Sequence, residues 1–256
     1  LYGIYQPDAG EIVIDGREAR VRSPRDAIAH GVGMVPQHFL LVRRHTVAEN
    51  VALGLSGTRF LLPVRGVEMQ INAFADRYGL RVDPHAAVWQ LSISEQQRVE
   101  ILKALLRGAE ILILDEPTSV LTPQEATQLF GVLRRMKEEG KSVIFITHKL
   151  DEVLAAADRV TVLRKGRVID TVPVGKASTP QLARMMVGHD VDFQLPARRP
   201  GTGAPALVVE DLWVQGDRGL PAVRGVSFVL HRQEILGIAG VAGNGQRELV
   251  EALTRL

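Results

Sequence analysis

Four short apolar runs set the limits on this fold. GVGMVP (31–36), AEILIL (109–114), KSVIFIT (141–147) and RVTVL (159–163) each sit between segments of helical periodicity. Runs without polar alternation suit strands buried on both faces of a parallel sheet, and strands alternating with helices indicate an α/β fold. Upstream, EIVIDG (11–16) reads as a short strand with an Asp-Gly turn. SPRDAIAHG (23–31) reads as a short helix, with a serine cap, Pro24 at the first helical position and Gly31 as a stop. Between Thr46 and Gly108 the periodicity is helical (TVAENVAL, VEMQINAFADRYG, SEQQRVEILKALLRG), which predicts a helical insertion between sheet strands. After a Lys165-Gly166 turn, a small strand and the helix TPQLARMMVG (179–188) close the unit.

LPARRPGTGAPA (195–206) is dense in Pro, Gly and Arg and reads as a linker. The expected organisation is a first domain at 1–194 with its helical subdomain at about 46–108, a linker at 195–205, and a second, β-rich piece at 206–256. That piece contains ALVVEDLWV, AVRGVSFVL and EILGIAG, then a helix, RELVEALTRL. The chain opens on Leu1 within structured-looking sequence and ends in mid-domain, so an internal fragment of a longer protein is expected. With no cysteine, neither a disulfide framework nor a thiolate metal site exists. Lys and Arg (31) barely exceed Asp and Glu (29), and no Lys/Arg run forms a nucleic-acid patch. No stretch reaches the ~20 apolar residues of a membrane span.

Chemistry enters where the strands end, because ligands of open parallel sheets bind at the carboxyl ends of the strands. GMVP leads into Gln37, ILIL into Asp115 and Glu116, and FIT into His148. Alone, Gln37 would be an ordinary loop residue and His148 a surface histidine. Three strands delivering Gln, Asp-Glu and His to one edge form the polar cluster that phosphoryl transfer to water requires. GVAGNGQR (240–247) adds the spacing of a phosphate-binding loop, G-x-x-x-x-G-K-[ST], with Gln246 in place of the lysine and Arg247 in place of the metal-binding hydroxyl.

LSISEQQRVEILKALLRGAEILILDEPTSVLTPQE followed by FITHKLDEV resembles an ABC-transporter ATPase, specifically the tandem-domain ATP-binding subunits of simple-sugar and nucleoside importers. VPQHF, TVAENV, MMVG (185–188) and GVAGNGQ extend the similarity over essentially the whole chain. The resemblance implies a P-loop NTPase fold, ATP and Mg2+ as substrate and cofactor, and attachment to the cytoplasmic membrane face. It also implies permease subunits as direct partners, a solute-binding protein as an indirect one, a second ABC domain in the same chain, and no nucleic acid. Asp115 would orient the metal through water, with Gln37 sensing it and touching the permease. Glu116 would be the general base and His148 the switch histidine. Ser92, Ser94 and Glu95 would belong to the signature that meets the partner domain's nucleotide. Ser119 to Thr122 would form the D-loop, with Thr122 in place of the Asp of other ABC branches. Gly240, Gly243, Gly245 and Gln246 would form a degenerate phosphate loop in the second domain, its lysine-bearing counterpart lying upstream of Leu1.

Ser92 to Glu95 also fits a capping box opening an amphipathic helix, and in this family both roles coexist. Ser94 occupies a glycine position of the signature, where positive φ and close approach to phosphate favour glycine, so weakened action across the domain interface is expected. Trp89 and Trp213 are expected to be packing residues, and KALLRG a helix with a Leu core face and a solvated face. The alternatives are a truncated, non-catalytic fragment, a regulatory nucleotide-binding module, and, third, a soluble ABC protein acting on ribosomes or DNA.

Overall fold

A computed structural model describes residues 1–53, 55, 64–189, 203–216, 219–240 and 243–254. The chain divides into two compact units, Leu1–Asp190 and Val191–Leu256. Residues 195–202 of the expected linker lie outside the described residues, as do Val241, Ala242, Arg255 and Leu256.

The first unit opens with a two-residue hairpin, β1 (Val13–Ile14) and β2 (Arg17–Glu18), around the Asp15-Gly16 turn. Helix α1 (Pro24–Ala29) starts at Ser23, whose side chain accepts from the Asp26 amide, and has proline in its first turn. Strand β3 (Val32–Val35) follows, then helices α2 (Val47–Ala52), α3 (Val64–Tyr78) and α4 (Ile93–Leu106). Strand β4 (Ile111–Asp115), helix α5 (Pro123–Glu138), strand β5 (Ser142–Ile146) and helix α6 (Leu150–Ala156) come next. Strands β6 (Arg159–Arg164) and β7 (Arg167–Pro173) and helix α7 (Thr179–Val187) complete the unit.

β3, β4 and β5 form the three-stranded parallel sheet, in that order. β4 lies in the middle and sends alternate side chains to two cores. Leu112 and Leu114 join the larger core with residues of α2, α3, α4 and α5, while Ile113 packs with Ala19, Val21, Ala27 and Val32. Gly33 is fixed by packing: a Cβ there would stand 2.9 Å from the Ala109 Cβ and 3.0 Å from the Ala104 Cβ. Helix α4 comes this close to the sheet because its partner residue has no side chain.

Several expectations change in the structure. RVTVL is not in the parallel sheet; β6 pairs antiparallel with β7. The cause is local, since Lys165 and Gly166 both take positive φ (49° and 74°), the two-residue turn that folds a chain back on itself. β5 is not buried on both faces. It is an edge strand among the described residues, with Ile144 and Ile146 43% and 51% exposed. KALLRG (103–108) is less solvated than expected: Lys103, Ala104 and Leu105 are buried, Leu106 and Arg107 half-buried, and only Gly108 is exposed, because α4 runs between the sheet and the other helices. Lys103 survives there in an ion pair, its Nζ to Glu100 Oε2 at 2.9 Å. Trp89 and Trp213 are half or more exposed (50% and 60%) rather than packed; Trp213 donates to Asp211 Oδ1 at 2.9 Å.

Tyr78, fully buried at the end of α3, donates its hydroxyl to Glu139, which also pairs with Arg77 at 2.7 Å. Burial first, then the Glu139 bond, pushes the Tyr78 hydroxyl up to about 12. Its unfolded counterpart ionises near 10. The unfolded chain therefore loses its proton first, and stability falls as pH rises between those values. Denaturation midpoints measured at pH 9 and 11 should show this fall, and Tyr78→Phe should flatten it.

The second unit contains one antiparallel hairpin, β8 (Pro205–Gln215) with β9 (Pro221–His231), and helix α8 (Gln246–Thr254). EILGIAG, expected as a strand, forms none: no described residue pairs with it, and Ile235 is 99% exposed. An apolar run becomes a strand only when a neighbour takes up its backbone hydrogen bonds.

Candidate active site

The parallel register fixes the site. Val35 lies level with Leu114, and Asp115 with Ile146. Gln37, Asp115, Glu116 and His148 therefore emerge at the same carboxyl edge. His148 Nδ1 lies 2.8 Å from Glu116 Oε1, joining the ends of β4 and β5. Glu116 is 19% exposed and His148 69%, so the imidazole lies outermost. The second carboxylate oxygen, Oε2, is buried and has no partner among the described residues. An unsatisfied buried acceptor costs about 1–3 kcal/mol. Gln37 is exposed, and among the described residues no hydrogen bond joins it to Asp115 or Glu116.

Glu116 has φ +48°, a left-handed conformation that a non-glycine residue adopts at a cost of about 1–3 kcal/mol. Its amide donates to the Ile146 carbonyl at 2.9 Å, carrying the β4–β5 ladder one residue beyond the strands. The carboxylate is thus aimed by the backbone and by one imidazole bond.

Ser92, Ser94 and Glu95 lie at the start of α4 and make no hydrogen bond with Glu116 or His148. Ser92 caps the helix reciprocally: Glu95 Oε2 accepts from the Ser92 amide at 2.8 Å and from its hydroxyl at 2.7 Å. Ser94 is not at positive φ; it is an ordinary helical residue of α4, so its Cβ introduces no backbone strain. It lines a cleft with Gln97, Arg98, Glu125 and Gln128. The Glu125 carboxyl is held below its ordinary range, first by the Thr122 amide and then by the Ser94 hydroxyl. The serine in the glycine position thus lies beside the start of α5, lining one cleft with Glu125.

The chain matches the family model described as ABC transporter over residues 1–119. The glucose import ATP-binding protein of Haloferax volcanii is 46% identical, covering 100% of this chain and 52% of that protein. The nucleoside import ATP-binding protein of Lactococcus lactis is 45% identical over 100% of this chain and 51% of its own length.

The chain belongs to the ABC transporter ATP-binding family.

This ABC chain spans about half the length of the curated relatives it matches. Its fold is that of solved ABC cassettes. The cassette cbiO1 from Clostridium perfringens, described as part of the ABC transporter complex cbiONQ, matches with a TM-score of 0.58 at 27% identity, over 68% of this chain and 70% of that one. An ABC cassette in its ADP conformation matches with a TM-score of 0.62 at 21% identity, over 73% and 80%.

The glycine-rich loop of this ABC chain lies in the second unit. Gly243 and Gly245 take φ of +91° and +94°. A Cβ on Gly245 would stand 2.4 Å from the Ala222 carbonyl oxygen, so only glycine fits. Gln246 lies against Gly240, its Nε2 2.2 Å from where a Cβ would be. Arg247 pairs with Glu251 at 2.6 Å along α8. No metal-sized cluster of three His, Cys, Asp or Glu occurs among the described residues. Mg2+ in nucleotide sites is held by one or two carboxylates with substrate phosphates and water, so the Asp115 carboxylate, with Gln37 at the same strand edge, fits that ion.

The sequence reading missed the residues behind Glu116. Gln97 donates to the Pro117 carbonyl, and Lys149 donates to the Thr118 carbonyl and pairs with Glu152. The Lys149–Glu152 spacing is the one signal that was available, a charge pair on α6 immediately after His148.

Proposed function

We propose that this chain is the hydrolytic portion of an importer's ATP-binding subunit, using Mg-ATP to drive uptake of a small polar solute, a nucleoside or a simple sugar. The observation that carries the reading is the His148–Glu116 bond at the shared carboxyl edge of β4 and β5, with the second Glu116 oxygen left without a partner among the described residues. Glu116 accepts the proton of an attacking water at Oε2, and His148 holds the carboxylate through Oε1. With Glu116 as carboxylate, the imidazole donates from Nδ1. Gln37 and Asp115 would hold Mg2+, which would neutralise phosphate charge there. Ser92, Ser94 and Glu95 at the α4 N-terminus face a partner domain's nucleotide.

The relatives' names, glucose import and nucleoside import, support the solute class. In this reading residues 1–194 form the hydrolytic domain, 195–205 the linker, and 206–256 belong to a second domain with a degenerate site. Gly240, Gly243 and Gly245 there offer backbone amides to phosphate, while Gln246 brings no charge and Arg247 is engaged with Glu251. The subunit binds permease subunits at the cytoplasmic membrane face and meets a solute-binding protein only through them. Among the described residues no helix is long and apolar enough to cross a membrane.

Within these 256 residues the only loop of phosphate-binding spacing lacks its lysine. The isolated chain is therefore expected to show no Glu116-dependent ATP turnover, whereas the assembled subunit with its permease hydrolyses ATP faster when solute is supplied. Phosphate release measured on both, with nucleosides and simple sugars in turn, tests this. Solute-independent rates in the assembled transporter would overturn the importer reading.

A further inference from the structure

We infer that Gln97, Lys149 and Glu152 are positioning residues for Glu116, and that through Gln97 the pose of Glu116 depends on the helix that begins at Ser92. The inference rests on the reading of Glu116 as the base, and extends it to regulation of the same site.

A left-handed non-glycine residue persists only where its surroundings over-determine it. On the N-terminal side of Glu116 the sheet does so, through the amide bond to Ile146. On the C-terminal side the chain turns, with the Ser119 amide donating to the Glu116 carbonyl at 3.2 Å. The next two carbonyls are each gripped by a side chain from a different helix. Pro117 accepts from Gln97 Nε2 of α4 at 2.6 Å, and Thr118 from Lys149 Nζ at 2.8 Å. Gln97 is 4% exposed, so water is kept from the first bond; in the second the Thr118 acceptor is 1% exposed while the Lys149 side chain is 37% exposed.

The second grip is itself braced. Lys149 Nζ lies 3.2 Å from Glu152 Oε1, and Glu152 Oε2 accepts from the Thr118 hydroxyl. The Lys149 amide donates to Thr147 Oγ1 at 3.1 Å, which fixes the backbone on either side of His148. One cluster therefore holds both the turn behind Glu116 and the histidine in front of it. Gln97 adds a separate input: it lies one turn along α4 from Ser92 and Ser94. A short hydrogen bond to a rigid turn transmits displacement, and misplacing a catalytic group by about 1 Å is enough to cost about 100-fold in rate. A ligand that moves the start of α4 thereby moves the base.

Two readouts separate the clamp from the chemistry. Gln97→Leu and Lys149→Met each remove one donor; Lys149→Arg keeps it. Amide hydrogen exchange on the 256-residue chain should show the Glu116 and Ser119 amides exchanging about tenfold faster in the first two variants, the effect of one hydrogen bond lost. Amides in the middle of α5 should be unchanged, and Lys149→Arg should match the parent. In the assembled subunit the first two variants should lower kcat about tenfold at unchanged KM for ATP. Unprotected Glu116 and Ser119 amides in the parent, or unchanged exchange in both variants, would overturn the clamp. If Glu116→Gln leaves turnover intact, the base assignment fails, while the clamp still stands or falls by exchange.

Discussion

Glu116→Gln is expected to lower ATP turnover by the assembled subunit about 10²–10⁴-fold, the range of a lost general base, with little change in KM. The substitution keeps the size and planarity of the side chain. The amide oxygen can still accept from His148 Nδ1, so the pose set by that 2.8 Å bond is preserved. What disappears is the proton acceptor at the second oxygen, which is buried and unpartnered in the parent. An amide NH2 in its place offers donors where an acceptor is needed. Nucleotide binding should therefore survive, and a fluorescent ATP analogue should bind the variant with affinity near that of the parent. His148→Ala is expected to do less, because it frees the carboxylate without removing it. Turnover within threefold of the parent in Glu116→Gln, measured as phosphate release, would remove Glu116 from the base role.

The placement of this cluster was legible because strand ends are legible. GMVP, ILIL and FIT are apolar because β3, β4 and β5 pack against helices, and the polar residue that follows each marks the edge. The caps at Ser23 and Ser92 were legible for a similar reason: the residue that satisfies a helix's first amides must be adjacent in sequence. What was not legible was mainly pairing, which a strand's own composition does not specify. RVTVL has the composition of a parallel strand, yet the Lys165-Gly166 turn decides its pairing. EILGIAG is apolar enough for a strand, and has none to pair with among the described residues. Gln97 and Lys149 serve backbone carbonyls at Pro117 and Thr118, and a carbonyl acceptor leaves no mark on sequence because every residue has one. Ser94 read as a defect because glycine was expected in its place. In the fold it is a regular helical position, and its hydroxyl serves Glu125.

The pair Glu100–Lys103 is the other charge arrangement that pattern alone misread, and it carries the largest expected stability effect. Lys103→Met should destabilise the first unit by about 3–5 kcal/mol, as removing one member of a buried ion pair does. The side chains are only 5% and 11% exposed, and their contact is 2.9 Å. Methionine fills the volume of the lysine stem, so the loss would come from the stranded Glu100 carboxylate rather than from a cavity. Arg107 lines one small cavity with Glu100 and Lys103, and its Nε is buried without a partner among the described residues, so its guanidinium places the expected value toward the lower end. Glu100→Gln with Lys103→Met should recover most of the loss, because the double change leaves no lone buried charge. Trp213→Phe leaves Trp89 as the single tryptophan, so fluorescence then reports on the first unit alone. A cost under about 1 kcal/mol for Lys103→Met would show that the pair is solvated in practice. The same experiment bears on the site, since Glu100 Oε1 accepts from the Leu40 amide at 2.8 Å, three residues beyond Gln37. If the pair is a structural anchor, the double variant should regain stability and keep that bond through the glutamine oxygen. The loop that carries Gln37 would then stay in place, and ATP affinity would follow stability rather than charge.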